Sequence, residues 1–257
     1  MTARRPAVAL PDPVLAAYTP AQIDFARAAW PLRAAEELRS ALVYRTLARA
    51  CADARWESAW TAAIDSVAID EMSHVRLCRV VGARLGAAVP IYDREPVRAR
   101  VAGFSDQRDV VAGLMLVEVA AGETISASLF RAGHRATVEP LAQAALRIIL
   151  ADEERHANFG WQALSALWPT LTEQQRCGLQ EEAARGLAGL EQTMVAPALR
   201  WMEDGLTFDP ALAELGVLPP EARVEAFYTT VEEQVLPGLT ALGLDGRAAW
   251  SRRYRRA

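Results

Sequence analysis

The sequence predicts an all-α protein: a four-helix bundle with one long crossover, followed by additional C-terminal helices. Three observations predict it. Apolar residues recur at helical spacing through most of the chain, and no stretch alternates as a strand does. Four long helical stretches come as two pairs, each pair joined by a break of only a few residues. Between the pairs lies 87–104, which carries Pro90, Pro96 and Gly103 and has no period. At 257 residues and 52% hydrophobic, the chain can bury a large core. Residues 1–170 are expected to hold an N-terminal helix and the bundle. Residues 171–257 should form helices packed on its outside, the whole making one compact unit.

Taken in order, Thr19-Pro20-Ala21-Gln22 is a capping box with proline at the first helical position. A short helix starts there and should bend or break at Pro31. Leu32 to about Cys51 reads as helix, with Ala34, Glu37, Ala41, Tyr44 and Ala48 on one face. Asp53 is the expected cap of the next helix, which runs to Leu85 and stops at Gly86. The connection 87–104 reaches at most about 60 Å when extended, and the helix before it is about 45 Å long. It can therefore run the length of a bundle. A third helix, from about Asp106 to Arg135, is capped by Ser105 or Asp106. Thr137 caps a fourth, which ends at Trp168-Pro169. Thr172-Glu173-Gln174-Gln175 starts a fifth, to about Asp204. A loop is expected around Phe208 to Leu218, a sixth helix from Pro219-Pro220, and a short last one closing at Trp250.

Four of these helices carry charge where their stripes should be apolar. In the fourth, Leu146, Ile149, Leu150, Glu153, His156, Ala157, Gly160 and Leu164 share a face. In the second, Ile64, Val67, Ala68, Glu71, His74, Val75 and Cys78 do the same, so Asp70-Glu71-x-x-His74 repeats Asp152-Glu153-x-x-His156. Glu37 interrupts the first stripe, and Glu123 interrupts the third, among Leu116, Val119, Ala120, Ser126, Ala127 and Phe130. Unpaired buried carboxylates are costly or become protonated. A metal pair resolves the cost, because bundle sites of this kind take one Glu from each of two helices and a Glu-x-x-His from each of the other two. The expected ligands are Glu37, Glu71, His74, Glu123, Glu153 and His156.

Glu37-x-x-Ser40, Asp70-Glu71-x-x-His74, Gly122-Glu123-Thr124 and Asp152-Glu153-x-x-His156-Ala157 together resemble the ferritin-like di-iron carboxylate superfamily, and within it bacterial ferritin-like proteins of unassigned substrate. The likeness covers roughly Pro31 to Trp168. Val75 departs from it, since alanine often follows the first histidine there. The resemblance implies two iron ions, or manganese and iron, with O2 as co-substrate. It leaves the reaction open; the leading expectation is an oxidase or oxygenase acting on a small organic substrate, such as one of specialised metabolism, with an external electron donor and a homodimeric chain.

Around the ligands, Asp70 and Asp152 are expected each to hold a histidine of the other half and fix its tautomer. Glu118 lies about 140° around the helix from Glu123 and reads as a salt-bridged group or one that supports a ligand. Tyr44 reads as a packed core tyrosine, with a redox role as the alternative. His134 reads as a helix-end residue. Ala34, Ala41, Ala120, Ala127, Ala157 and Gly160 either leave room for a substrate or let helices pack closely.

Composition narrows the rest. All 28 basic residues are arginine, which excludes a lysine Schiff base and a Gly-Lys-Ser/Thr phosphate loop within the chain. The three cysteines lack paired spacing, so no disulfide framework or zinc cluster is indicated. A net charge of −4 gives no reason to expect nucleic acid, which weighs against a tRNA-hydroxylating relative. The basic tail of Arg252, Arg253, Arg255 and Arg256 reads as a solvated helix end. No apolar run was expected to span a bilayer, and Pro11 and Pro13 cut the start too early for a signal peptide, so a cytoplasmic location is expected. The rival functions are a ferroxidase or peroxidase, disfavoured by the lack of a Cys-x-x-Cys module, and an iron-storage protein.

Overall fold

The computed structural model describes residues 9–88 and 106–253, and among them every regular element is helical. Helix α1 (Pro20–Asp53) begins on the expected capping box, Thr19 Oγ1 accepting from the Gln22 amide and the Gln22 side chain accepting from the Thr19 amide. It runs unbroken through Pro31, so the chain does not break there. Proline inside a helix costs about 3 kcal/mol, and tertiary packing offsets it here. Trp30 is fully buried and donates its indole N–H to the Leu215 carbonyl at 3.2 Å. Gly82 on α2 (Ser58–Arg84) leaves space for the Pro31 ring, whose Cδ stands 3.5 Å from where a Cβ would be.

Because α1 continues to Asp53, that residue does not cap α2. The chain turns through Arg55, at φ 55°, and α2 starts after Glu57 without a side-chain cap bond. Of the expected crossover, residues 89–104 lie outside the described residues, as does Ser105. Helix α3 (Gln107–Ala136) is capped by Asp106, whose carboxylate accepts from the Arg108 amide at 2.6 Å. Its middle, Met115–Gly122, is π-helical, a feature the sequence did not suggest. Contrary to expectation, α3 is long and apolar enough to cross a bilayer, but 89% of its apolar window is buried inside the protein. It is apolar around most of its girth because neighbours surround it. Helix α4 (Pro140–Leu167) is capped by Glu139 rather than Thr137. Pro140 suits the first helical position and fixes the start; the Glu139 carboxylate accepts from the Ala142 amide at 2.7 Å, while Thr137 donates to the Gly133 carbonyl and closes α3.

Helix α1 packs along α2 and α3 along α4; α1 also meets α3 and α2 meets α4, which closes the four long helices into a ring. The fifth stretch is two helices, α5 (Glu173–Met194) and α6 (Ala196–Glu203), divided at Val195 just before Pro197, which has no N–H to continue the ladder. The expected loop contains α7 (Pro210–Glu214), capped by Asp209. Then come α8 (Pro220–Thr230), a π-helical turn Val231–Val235, α9 (Leu236–Ala241) and α10 (Gly246–Arg252). Helices α5 and α8 pack on α3, and one apolar cluster reaches from Val43 to Ala249. The start of the basic tail is engaged rather than solvated: Arg252 pairs with Glu181 at 2.7 Å, and Arg253 with Glu191 at 3.0 Å while lying over the Trp250 ring. Arg255 and Arg256 lie outside the described residues.

Candidate metal centre

Residues at i and i+3 leave a helix on one side. Glu71 and His74 therefore enter the ring together from α2, and Glu153 and His156 from α4, while α1 contributes Glu37 and α3 Glu123. All six are buried. They form two overlapping groups, Glu37, Glu71, His74 and Glu153 in one and Glu71, Glu123, Glu153 and His156 in the other, with donor atoms within 4.8 Å of one another. Glu71 and Glu153 belong to both.

Both imidazoles turn the same atom inward. His74 Nδ1 lies 3.2 Å from Glu37, 3.5 Å from Glu153 and 3.6 Å from Glu71, while its Nε2 faces Asp152 at 3.2 Å. His156 Nδ1 lies 2.9 Å from Glu71 Oε1, and its Nε2 faces Asp70 at 3.5 Å. An aspartate accepting from Nε2–H leaves the Nδ1 lone pair directed at the carboxylates, which is the tautomer a metal requires. Arg155, which sequence reasoning missed, links the two halves: its guanidinium donates to Asp152 and lies 3.5 Å from Asp70. The signal was present as an Asp-x-x-Arg pair on one helix face.

Tyr44 donates its hydroxyl to Glu123 Oε1 at 2.9 Å, and Ser40 donates to the same oxygen at 3.3 Å. Glu118 accepts from Arg39 at 2.9 Å. It also lines the same cavity as Glu123, which the expected 140° separation would not allow. The π segment explains this, because a helix bonded i to i+5 brings residues five apart close to one face. His134 stands in the last turn of α3, outside both groups.

In the metal-free chain protons balance the buried charge. Burial raises Glu37 to about 8 despite the opposing pull of His74. Burial also raises Glu123 well above the carboxylate range, and the neighbouring Glu153 and Glu71 add to it. For the histidines burial works against the charge, yet the facing carboxylates win: His74 is raised well above its ordinary value by Asp152, Glu153, Glu37 and Glu71, and His156 rises to about 9 beside Asp70 and Glu71. Glu71 opposes its own burial and is held down at about 2 by His156 and His74. Glu37 and His156 thus keep a proton at neutral pH, and Glu123 and His74 are pushed in the same direction.

The donors fit such ions. Carboxylate oxygens and imidazole nitrogens suit iron, manganese and their neighbours. Glu71 Oε1 and His156 Nδ1 are buried and 2.9 Å apart, yet they do not meet in hydrogen-bond geometry. Two buried polar atoms brought together without a shared hydrogen bond are what a metal position between them would require.

A cavity of about 190 Å³ opens on the group. Glu37, Glu71, Glu123 and Glu153 line it, and Val43, Leu129, Phe130, Leu146, Leu190 and Leu218 give it apolar walls. The last two belong to α5 and the segment before α8. None of the six small residues expected near the ligands lines this cavity. Gly160 instead serves close packing, since a Cβ on it would stand 2.8 Å from the Ala120 backbone. No family model, curated protein or solved structure matches the chain.

Proposed function

We propose that the chain is a ferritin-like dimetal oxidoreductase that uses dioxygen to oxidise a small organic molecule. The observation that carries this reading is the cavity: all four ligand carboxylates line it, beside the apolar side chains of Val43, Leu129, Phe130, Leu146, Leu190 and Leu218. Two iron ions, or manganese and iron, held by Glu37, Glu71, His74, Glu123, Glu153 and His156 would supply the redox chemistry that reduces oxygen.

The chain's own groups do the rest. Glu71 and Glu153, common to both groups, would contribute to holding both ions. Tyr44 and Ser40 engage one oxygen of Glu123 and leave the other for the cluster. Asp152 and Asp70 fix the histidine tautomers. The aliphatic and aromatic wall keeps bulk water from an organic substrate beside the ligands.

The test loads the full chain anaerobically with ferrous iron, removes unbound iron and cycles the protein between a chemical reductant and oxygen. The expected result is two metals per chain, retained through repeated cycles, with oxygen uptake set by the reductant supplied. A storage protein would behave differently. If added ferrous iron accumulates as a mineral core and oxygen uptake follows iron rather than reductant, the storage reading replaces this one.

A further inference from the structure

The cavity has two unlike ends. At one lie the ligand carboxylates. Toward the other, Arg33 on α1 and Arg223 on α8 line the same space. Arg33 is one turn before Glu37, and its guanidinium leans back over the Trp30 ring at 4.5 Å and toward Phe130 at 5.8 Å. Phe130 stands two turns beyond Glu123 on α3, about 10 Å along the axis. The guanidinium end is therefore offset from the ligands by a distance that a short carbon skeleton spans.

Neither arginine has an ion-pair partner among the described residues. Arg33 donates to the Gly216 carbonyl at 3.0 Å and Arg223 to the Met194 carbonyl at 3.2 Å. Carbonyls position a guanidinium without neutralising it, and each retains further N–H donors. Arg39, also on the wall, is committed to Glu118 at 2.9 Å. Exposed Glu36 is then set against two guanidiniums, a surplus of one positive charge at this end. Burial lowers the Arg223 pKa; Glu36 opposes this, and Arg33 adds a smaller push downward.

We infer that the substrate is an amphipathic carboxylic acid whose carboxylate is held by Arg33 and Arg223 while its apolar body lies along the wall toward the metal ligands. A single surplus charge matches a monoanionic carboxylate better than a phosphate, and the planar guanidinium fork suits carboxylate geometry. The inference takes the site from the proposed oxidoreductase, but the arginines can be tested without it.

The test measures binding, by calorimetry, of straight-chain carboxylates from butanoate to decanoate against the matched primary amides and alkyl phosphates. It uses the full chain both metal-loaded and chelator-treated. At least one acid of the series should bind about tenfold or more tightly than its amide in both forms, the scale of one charge-assisted contact. Arg223→Gln and Arg33→Gln should each erase that preference while amide binding changes little. Acid preference confined to the metal-loaded form would mean that the carboxylate binds metal, and would overturn the inference while leaving the oxidoreductase reading intact. Equal binding of acid and amide, tighter binding of the phosphate, or no acid binding anywhere in the series would overturn it too. A chain that takes up no metal but keeps the arginine-dependent preference would sink the redox function alone.

Discussion

At the scale of residues, the division of labour among six side chains predicts unequal losses. Glu71 and Glu153 serve both groups, whereas each histidine serves one. Glu71→Ala and Glu153→Ala should therefore empty both metal positions, and His74→Ala and His156→Ala about one each, with helical content preserved in all four. Elemental analysis beside circular dichroism decides it, and full metal retention in both histidine variants would defeat the assignment. Glu123→Ala should strip metal much more than Glu118→Ala, whose carboxylate is engaged with Arg39. Arg155 acts through others. It is half exposed, but Asp152 beside it is buried, and it bears on both aspartates that orient the histidines. Arg155→Ala should weaken metal affinity by roughly tenfold, the lower end for loss of a ligand's supporting partner, with helical content preserved. An unaltered affinity in a chelator competition would show that the aspartates need no help.

At the scale of elements, the helices and their buried faces were legible because a 3.6-residue stripe records both the element and its orientation. Glu71 with His74, and Glu153 with His156, stood out only because their neighbours Ile64, Val67, Ile149 and Leu164 set the apolar phase. Helix α3 was harder, since Met115 to Gly122 is almost uniformly apolar and so carries no phase from which a π register could be read. The cap at Glu139 and the start of α2 after Glu57 are not legible locally, because Thr137 and Asp53 have equal claims and tertiary packing decides where each helix turns. The small residues were readable as small but not as packing or pocket, because that depends on what stands opposite. Gly160 settles it for one pair. A methyl there meets the Ala120 backbone at 2.8 Å, and backbone cannot rotate away as a flexible side chain can. Gly160→Ala should cost about 1–3 kcal/mol in denaturant unfolding and, one turn from His156, should weaken metal binding. Gly178→Ala, exposed in α5 with nothing within 4 Å of the added carbon, should instead stabilise by up to about 1 kcal/mol. If the two glycines respond alike, close packing of α3 on α4 is not what Gly160 provides.

At the scale of the whole molecule, four helices enclose a buried charge problem that either protons or metals can solve, and the two solutions depend on pH with opposite sign. Glu37 rises from its ordinary value near 4.5 to about 8, so between those values the folded chain keeps a proton that the unfolded chain has lost. His156, rising from 6.5 to about 9, does the same between those values. Each contribution is fully present below the lower value and lost as pH climbs through the upper one. Glu71 behaves oppositely: depressed from 4.5 to about 2, its contribution is present above 4.5 and lost only as pH falls toward 2. From these groups, the metal-free chain should lose stability steadily as pH rises from 6 to 9. Metal binding must displace the protons that Glu37 and His156 hold at pH 7, and Glu123 and His74 are pushed the same way, so loading two ions near pH 7 should release at least about two. Release should then decline above pH 8 and 9 as Glu37 and His156 empty on their own, and apparent affinity should rise with pH over the range where protons are displaced. Calorimetry of metal uptake in buffers of different ionisation enthalpy counts the protons, and thermal unfolding at pH 6 and pH 8 gives the stabilities. The metal-free chain should melt higher at pH 6 and the loaded chain should gain more from metal at pH 8. A proton count near zero, or metal stabilisation that is larger at pH 6, would mean that the buried cluster is held together by something other than the exchange of protons for metal.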